Sequence, residues 1–440
     1  MSFPRYPKYK DSGVEWLGEV PENWEVKALK RMGHFTTGTT PATDDDENYS
    51  EDGSHQWLRP EDIDESGTPS VASKYLSDKG WTQVRPVAAG SSTVCCIGTI
   101  GKVGYVAQEV ATNQQITSVT FKRSQRYFYF TLCAARSSLE VQATGNVLRI
   151  LNAERLGNIF FPCPPPTEAD SVAEFLDRET RKIDELVAEQ QLLMELLKEK
   201  RQAVISHAVT KGLNPRAPMK PSGIEWLGDV PEHWQVLALK RIATIQTGVA
   251  KGKDNGSRAT ISVPYLRVAN VQDGYLDLET VATIEIPAEE LDRYTLKPGD
   301  VLMNEGGDFD KLGRGCVWEG QIDPCITQNH VFAVRPRDGL STWLATFTGS
   351  DSAQFYFMSR SKQSTNLASI SSTNLMELPV VIPTANDREA ILTFVSEQTS
   401  RFDALAAEAQ KAIDLLQERR TALISAAVTG QIDVRKLAAA

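Results

Sequence analysis

Side chains that can read base edges recur in glycine-containing loops in both halves of the chain. Arg, Lys, Asn, Gln and Thr hydrogen bond to base edges and phosphate oxygens, and glycine lets the backbone approach phosphate closely. In the first half the candidates are Thr37, Thr39, Arg59, Lys102, Asn113, Gln114 and Arg149. In the second half they are Lys251, Lys253, Arg258, Arg267, Asn270, Lys311, Arg314, Gln328, Asn329, Arg360 and Lys362. This pattern predicts contact with nucleic acid.

Each of these loops also has a purely structural interpretation as solvated surface. Asn113-Gln114 and Gln328-Asn329 both follow a Thr and precede an apolar strand, so they could equally form turns that satisfy backbone groups. Arg59 and Arg267 follow matched strands, where a buried structural ion pair is the competing explanation. Recurrence in both halves favours the nucleic-acid interpretation.

Catalytic and metal-binding signatures are absent from the sequence. A phosphate-binding loop needs Ser or Thr after Gly-Lys, but Gly252-Lys253 is followed by Asp254 and Gly101-Lys102 by Val103. The chain has no Asn-Pro-Pro-aromatic signature of amino-methyltransferases and no His-Glu-x-x-His. Its six Cys show no Cys-x-x-Cys spacing. We therefore expect no catalytic residue, no metal site and no cofactor in this chain.

Composition and charge narrow the class of protein. The chain has 440 residues, about three domain lengths, with 41% hydrophobic and 24% charged residues, as in ordinary globular proteins. It contains no apolar run long enough for a membrane span and no signal-peptide core, so we expect a cytoplasmic protein.

The net charge is −10, but ten acids lie between Asp44 and Glu65, where Arg59 is the one base. Elsewhere acids and bases nearly balance, so a local basic face is possible. The acidic run itself is predicted to be a solvated loop, or a surface that faces a protein partner.

The chain is an internal duplication. Residues 11–31 and 221–241 are identical at 15 of 21 positions, and both contain Glu-Trp-Leu-Gly and Val-Pro-Glu-x-Trp. A second repeat covers two long predicted helices, with apolar residues every seven positions. The heptad positions are Leu176, Ile183, Gln190, Leu197 and Val204 in one helix, and Val395, Phe402, Ala409, Leu416 and Leu423 in the other. Leu186 and Leu193, with Leu405 and Ala412, are predicted to form a second apolar row.

These repeats predict a two-copy architecture. Thr167 and Thr384 are candidate caps at the helix starts. Helices of about 40 residues would span about 60 Å, and their apolar stripes are best buried against each other as an antiparallel coiled coil. Two separate bundle elements are the alternative. The fold class is thus mixed α/β (α+β) in two pseudo-twofold copies with a two-helix coiled coil between them. The predicted segments are residues 1–166 and 213–383 as globular domains, 167–212 and 384–432 as long helices, and 433–440 as a tail.

The globular domains combine short strands with helices. Strands are predicted at 57–59, 92–97, 101–106 and 116–121 in the first domain, and at 263–268, 297–303, 316–318 and 330–334 in the second. Helices are predicted at 127–141 and 341–359. Outside the matched motifs the two domains differ strongly, which indicates one scaffold with two different recognition surfaces.

Two repeats that open with Gly-x-Glu-Trp-Leu-Gly-x-Val-Pro-x-x-Trp and end in a long helix closing with Ile-Ser-x-Ala-Val-Thr resemble the specificity subunit of a type I restriction–modification system. The resemblance spans essentially the whole chain. The segment Thr37-Gly38-Thr39-Thr40-Pro41 also resembles the start of the first variable region of that family, whereas the second copy, Thr247-Gly248-Val249-Ala250-Lys251, lacks the Pro.

The resemblance implies a non-catalytic DNA-recognition subunit. In that family each target-recognition domain reads one half of a split, asymmetric DNA sequence, and the coiled coil sets the spacing. The resemblance implies two methyltransferase subunits, which use S-adenosylmethionine, and two restriction subunits, which use ATP and Mg²⁺, as partners beside double-stranded DNA. Half-sites about one helical turn apart are expected. A coiled-coil scaffold without DNA specificity and an unrecognised stand-alone DNA-modifying enzyme are the alternatives.

Overall fold

A computed structural model describes residues 3–435 and 437, except residues 52, 54, 146–148, 253–255, 257, 308–311, 314, 338 and 364–367. Contacts within the chain divide it into two compact units. Unit 1 consists of Met1–Gln191 and Gln410–Ala440, and unit 2 of Leu192–Ala409. Each unit therefore contains a globular part and a segment of each long helix.

Unit 1 is built from short strands and helices. Its strands are β1 (Tyr9–Asp11), β2 (Glu19–Pro21), β3 (Glu25–Ala28), β4 (Gly33–Thr37), β5 (Tyr49–Ser50), β6 (His55–Leu58), β7 (Tyr75–Leu76), β8 (Ser92–Cys95), β9 (Val103–Tyr105), β10 (Ala111–Thr112), β11 (Ile116–Phe121) and β12 (Phe160–Cys163). Its short helices are α1 (Asp78–Trp81), α2 (Gln125–Ala134), α3 (Arg136–Gln142) and α4 (Ala153–Asn158). The antiparallel sheet β4-β11-β8-β9 covers the core, and a second sheet has the order β10-β6-β7-β5.

The first long helix, α5, spans Pro166–Lys211 and passes from unit 1 into unit 2. The strands of unit 2 are β13 (Met219–Pro221), β14 (Asp229–Pro231), β15 (Gln235–Ala238), β16 (Ala243–Thr247), β17 (Thr260–Leu266), β18 (Ala282–Pro287), β19 (Val301–Asn304), β20 (Gly306–Gly307), β21 (Gly315–Val317), β22 (Ile326–Thr327), β23 (Val331–Pro336), β24 (Lys362–Gln363), β25 (Ala368–Ser369) and β26 (Pro379–Ile382). Its short helices are α6 (Leu239–Ile242), α7 (Leu291–Tyr294), α8 (Ser341–Thr348), α9 (Asp351–Arg360) and α10 (Ser372–Met376). The second long helix, α11, spans Ala385–Val428.

Unit 2 repeats the topology of unit 1. Its antiparallel sheet β16-β23-β19-β21 corresponds to β4-β11-β8-β9, and its sheet β18-β17-β22 contains a parallel pair as the second sheet of unit 1 does. In each unit the strand that precedes a long helix pairs antiparallel with a strand near the start of the unit, because β12 pairs with β3 and β26 pairs with β15. The prediction of mixed α/β units with a long helix in each repeat is confirmed.

The predicted strands and helices agree with these elements, with two differences in the helices. The helix predicted at 127–141 is divided at Ala135 into α2 and α3, and that predicted at 341–359 is divided at Gly349 and Ser350 into α8 and α9. Ser350 explains the second break, because its hydroxyl accepts a hydrogen bond from the backbone N–H of Ala353 as an N-cap.

Most of the heptad row predicted on the two long helices is buried, and Gln190, Val204 and Leu416 are partly buried. Leu176 and Ile183 pack in the core of unit 1 with Leu423 and Val428, and Val395 packs in the core of unit 2 with Val209. Each unit therefore pairs the beginning of one helix with the end of the other, which is the antiparallel order. Burying each such side chain contributes about 1.5–3 kcal/mol.

The second apolar row was predicted incorrectly. Leu186, Leu193 and Leu405 are exposed. The inner row lies one residue later, where Val187 packs against the core of unit 1 and Ile413 is buried. The reason is geometric, because a residue four positions after the first row faces the same side of a helix as that row.

Two equivalent ion pairs fix the register of the helix pair. In unit 1 the Arg420 Nε lies 2.9 Å from Asp184 Oδ1, and in unit 2 Arg201 pairs with Asp403. The same number of residues separates Asp184 from Arg201 as separates Asp403 from Arg420. The two pairs are therefore equivalent positions of the sequence repeat.

The predicted cap is confirmed at α11 and wrong at α5. The Thr384 hydroxyl accepts a hydrogen bond from the Asp387 backbone N–H at 3.2 Å. Helix α5 begins at Pro166, so Thr167 already lies in the first turn, and the N–H groups of Glu168 and Ala169 donate to the carbonyl of Pro165. Proline is favoured at the first helical position because it lacks an N–H that would need a partner there.

Candidate nucleic-acid interface

Two parallel strands of unit 1 end at the same edge of their sheet. Strands β6 and β10 pair in parallel, with Leu58 beside Thr112. The backbone N–H of Asn113 donates to the carbonyl of Leu58 at 3.0 Å. The loops that begin at Arg59 and Asn113 therefore leave the sheet side by side.

A third loop, which follows β4, packs directly onto this edge. The N–H of Gly38 donates to the Ile116 carbonyl at 3.0 Å, and the N–H of Thr39 donates to the Thr112 carbonyl at 2.9 Å. A Cβ atom on Gly38 would lie 2.1 Å from the Thr112 carbonyl oxygen. Only glycine permits this approach, which explains the glycine in the predicted Thr-Gly loop.

Unit 2 builds the same edge from matched residues. Strands β17 and β22 pair in parallel, the N–H of Gln328 donates to the Leu266 carbonyl at 2.8 Å, and the N–H of Val249 donates to the Thr327 carbonyl at 2.8 Å. A Cβ atom on Gly248 would lie 2.0 Å from the Thr327 carbonyl oxygen. We call this arrangement the three-loop edge, formed by residues 37–40, 59–60 and 113–115 in unit 1 and by 247–251, 267–268 and 328–330 in unit 2.

The three-loop edge of unit 1 holds its arginine in ion pairs. The Arg59 Nη1 lies 2.8 Å from Glu61 Oε1, its Nη2 donates to the Ser73 hydroxyl at 2.9 Å, and its Nε lies 3.7 Å from Asp62 Oδ2. Its side chain is 23% exposed. Lys102 adjoins the same loop, because its ammonium donates to the Pro60 carbonyl at 3.0 Å. These contacts favour the structural alternative for Arg59.

Two of the predicted asparagines satisfy the fold itself. Asn113 is buried, its side-chain oxygen accepts from the Gln115 N–H, and its amide donates to Gln115 Oε1. Asn270 is also buried, and its amide donates to the carbonyls of Asp277 and Thr280. The turn alternative is therefore favoured for Asn113, and both donors of the Asn270 amide are engaged inside the unit.

Other predicted residues of the edge present polar groups at its surface. Thr37 shares a hydroxyl contact with Thr117 at 3.1 Å, and Gln114 Oε1 accepts from the Thr40 hydroxyl. In unit 2 Asn329 Nδ2 lies 3.3 Å from His330 Nε2, and His330 Nδ1 lies 2.7 Å from Glu305 Oε2. Lys251 and Arg267 are exposed.

The remaining predicted residues lie apart from these edges or outside the described chain. Arg149 donates to the carbonyls of Glu140 and Ala143, and Arg258 lies 2.9 Å from Glu290. The Arg360 guanidinium lies 6.0 Å from the centre of the Tyr356 ring, and Lys362 is exposed on β24. Lys253, Lys311 and Arg314 lie outside the described residues. The DNA-contact list as a whole stays a prediction.

Carboxylates of the acidic run form ion pairs with Lys and Arg side chains of unit 1. Lys79 lies 2.9 Å from Asp45 and 2.6 Å from Glu47, and its hydrogen bond lowers the pKa of the Asp45 carboxyl. Arg136 lies 2.8 Å from Glu65. The described part of this run therefore belongs to a folded, ion-paired loop.

Sequence reasoning missed two arginines that fasten the end of this loop. The Arg126 Nη2 donates to the Gly67 carbonyl at 2.8 Å and pairs with Asp177 on α5 at 2.6 Å. Arg420 on α11 donates to the Ser66 carbonyl as well as to Asp184. The sequence repeat was the signal for the Arg420 pair, because Arg201 and Asp184 on α5 correspond to Arg420 and Asp403 on α11. No motif pointed to Arg126.

No described feature indicates a catalytic or metal centre. Within the described residues, no group of three or more His, Cys, Asp or Glu could hold a metal ion. Burial raises the pKa of the Cys95, Cys316 and Cys325 thiols to about 12, so these thiols stay protonated at neutral pH and are poor nucleophiles. No helix in the described part of the chain is both long and apolar enough to cross a membrane.

Comparisons with known proteins agree with this architecture. The family described as "Type I restriction modification DNA specificity domain" matches residues 21–195. The specificity subunit of the type I restriction enzyme MjaVIII from Methanocaldococcus jannaschii is 24% identical over 299 residues, which is 64% of each chain. That of EcoKI from Escherichia coli K12 is 24% identical over 279 residues, 62% of this chain and 58% of the relative. The matches thus span less than two thirds of these two relatives.

A solved chain from a type I restriction–modification system has the same fold. It aligns with a TM-score of 0.67 and 14% identity over 93% of this chain and 98% of its own length. The repeated units, the long helices and this match together define the fold class, which is two similar mixed α/β units that each contain a segment of both long helices. Over residues 21–195 the chain matches the type I restriction–modification DNA specificity domain, and over about two thirds of its length it is similar to specificity subunits of type I restriction enzymes.

Proposed function

We propose that this chain is the DNA sequence-recognition subunit of a type I restriction–modification complex, and that each unit reads one half of a bipartite, asymmetric target. The observation that carries the proposal is the three-loop edge. The same backbone hydrogen bonds build it in both units, from Asn113 to Leu58 in one and from Gln328 to Leu266 in the other.

The matched edges carry different side chains, which supports two different half-sites. Thr39 in unit 1 corresponds to Val249 in unit 2, and Pro60-Glu61-Asp62 corresponds to Val268-Ala269-Asn270. Base edges are distinguished by the donors and acceptors presented to them. The same backbone arrangement with different side chains therefore suits two units that recognise different DNA half-sites.

The long helices are proposed to set the spacing of the half-sites and to dock the methyltransferase subunits. Helix α5 has 46 residues and α11 has 44, and each runs through both units. Leu192, Leu193 and Leu196 are exposed on α5 within unit 2. Apolar side chains clustered on an exposed helix are typical of a protein interface.

The chemistry is assigned to the partners. Two methyltransferase subunits would supply S-adenosylmethionine-dependent methylation, and two restriction subunits would supply ATP- and Mg²⁺-dependent cleavage. This chain would take part as a non-catalytic subunit in the cytoplasm, where chromosomal DNA is accessible. The duplicated helix is the feature that favours two copies of each partner.

The test is reconstitution of DNA methylation. The chain is produced with a methyltransferase subunit and S-adenosylmethionine, and methylated positions are sequenced in a library of random DNA. We expect a bipartite motif with two unlike halves that disappears when the chain is omitted. Methylation without a motif would support a scaffold instead, and methylation by the chain without its partner would support a stand-alone enzyme.

The spacing proposal has a separate test. Deleting residues 188–194 from α5 and 410–416 from α11 removes one heptad from each helix and keeps Asp184 opposite Arg420 and Arg201 opposite Asp403. We expect the same two half-sites with a changed number of bases between them. An unchanged spacer would contradict a role of the helices in spacing.

A further inference from the structure

One turn of the three-loop edge has the same backbone conformation in both units. Its arginine lies beside carboxylates in unit 1 and beside uncharged side chains at the matched positions of unit 2. Arg59 has φ −117° and ψ 169°, and Arg267 has φ −104° and ψ 171°. Each is followed by a single 3₁₀ turn. In each, the arginine N–H donates at 2.9 Å to the side-chain oxygen of the third residue after it, which is Asp62 in unit 1 and Asn270 in unit 2.

The residues that neutralise Arg59 are replaced beside Arg267. Glu61, which lies 2.8 Å from the Arg59 guanidinium, corresponds to Ala269. Asp62 corresponds to Asn270, which keeps the acceptor oxygen for the turn but carries no charge. The turn is thus preserved while both carboxylates are lost.

Among the described residues, Arg267 differs from Arg59 in having no carboxylate beside its guanidinium. Its side chain is exposed, and it forms no ion pair with any described residue. It follows directly after Leu266, whose carbonyl accepts from the Gln328 N–H, so it lies at the junction of two of the three loops. The exposed ammonium of Lys251 belongs to the third loop of the same edge.

We infer that Arg267 donates hydrogen bonds to DNA when unit 2 binds its half-site, and that Arg59 serves instead to hold its own loop. This inference rests on the proposed function. A guanidinium can bond either to O6 and N7 of guanine or to a phosphate oxygen, and both are acceptors that an unpaired arginine reaches without breaking an existing ion pair. Arg59 would first have to leave two carboxylates, which also repel phosphate.

The experiment uses the full chain in the reconstituted methyltransferase complex. The variants are Arg267→Ala, Ala269→Glu and Ala269→Gln, and each is measured for methylation of a DNA library randomised in both half-sites and for DNA binding at several salt concentrations. Ala269→Glu places a carboxylate where Glu61 lies in unit 1, and Ala269→Gln is its uncharged control. Thermal unfolding of each variant checks that unit 2 is folded.

We expect Arg267→Ala to weaken binding about 5- to 160-fold, the range that corresponds to one good contact of about 1–3 kcal/mol. Ala269→Glu should reproduce part of this loss, and Ala269→Gln should bind as the unmodified chain does. Loss of preference at one base of one half-site identifies a base contact. A uniform loss with the logarithmic salt slope reduced by about 1 identifies a phosphate contact.

Two failures are distinguishable. If the unmodified chain gives no bipartite motif, the proposed function is wrong. If it gives the motif, but Arg267→Ala keeps the same motif, affinity and salt dependence, the inference about Arg267 alone is overturned. Equal losses in Ala269→Glu and Ala269→Gln would also overturn it, because the effect would then not depend on the added charge.

Discussion

The indole N–H of Trp24 donates to the carboxylate of Glu168 at 3.0 Å, and the pair joins the opening motif of the first repeat to the first turn of α5. Both residues are buried. In unit 2, Trp234 donates to Asp387 in the first turn of α11 at 2.9 Å. In both units the tryptophan of the Val-Pro-x-x-Trp motif thus holds the first turn of a long helix through a hydrogen bond, which explains why the motif and the helix recur together.

Replacing Glu168 with Ala should destabilise unit 1. The Trp24 indole is fully buried, so its N–H would lose its acceptor, at a cost of about 1–3 kcal/mol in the free energy of unfolding. Denaturant unfolding of the purified chain measures this loss. Glu168→Gln retains an oxygen acceptor and should lose less. Equal stability of Glu168→Ala and the unmodified chain would show that the hydrogen bond contributes nothing.

Asp387 should make the stability of unit 2 sensitive to acid. Hydrogen bonds from Trp234 and His233 hold the pKa of the Asp387 carboxyl below its usual value of about 3.9. A lowered folded-state pKa stabilises the fold above the unfolded value, and this contribution is lost as pH falls through the folded pKa. Thermal midpoints measured below about pH 5 should fall less steeply for Asp387→Asn than for the unmodified chain. Parallel curves would contradict the assignment.

Arg420 and Arg201 occupy equivalent helix positions but should differ in importance. The Arg420 side chain is 17% exposed and also holds the Ser66 carbonyl, whereas the Arg201 side chain is 42% exposed. An exposed ion pair contributes at most about 1 kcal/mol, and a partly buried arginine with two acceptors contributes more. Arg420→Ala should thus lower the unfolding free energy more than Arg201→Ala does.

The loop held by Arg420 gives this prediction a second measurement. Without Arg420, limited proteolysis should cleave near residues 64–68 faster, and Arg201→Ala should leave that cleavage unchanged. Burial raises the pKa of Asp184 although Arg420 lowers it, so Asp184→Asn should be tolerated better than Arg420→Ala. Equal losses would mean that the ion pair rather than the loop contact stabilises unit 1, because both substitutions remove the ion pair and only Arg420→Ala removes the bond to Ser66.

Gly248 should not tolerate even a methyl group. An added Cβ would lie 2.0 Å from the Thr327 carbonyl oxygen, so Gly248→Ala must displace the loop that follows β16. We expect reduced DNA binding by unit 2 and a loss of about 1–3 kcal/mol in stability. Gly349→Ala in the same unit is the control, because its Cβ would meet its nearest neighbour at 3.5 Å. Similar behaviour of the two variants in binding and unfolding assays would refute the close-approach argument.

The sequence repeats were sufficient to predict the fold class, the two long helices and most strands, because periodicity and duplication can be read directly from the order of residues. They placed Leu186 and Leu193 on the wrong helix face, since an apolar side chain every seven residues does not reveal which adjacent row faces the partner. The sequence places Glu61 and Asp62 close to Arg59, but it did not show that they hold the guanidinium together with Ser73. Whether an arginine is neutralised depends on which side chains lie close to its guanidinium in the folded protein. Ser73, which accepts a hydrogen bond from Arg59, is not a neighbour of Arg59 in the sequence.

The turns that follow Arg59 and Arg267 each depend on one acceptor oxygen, which Asp62 supplies in unit 1 and Asn270 in unit 2. The other positions of the turn do not take part in this hydrogen bond. The exchange of Glu61 for Ala269 leaves this hydrogen bond in place and changes the charge beside the arginine. Under the proposed function, a single substitution beside Arg59 or Arg267 would change the preference of one half-site and leave the other half-site as it was.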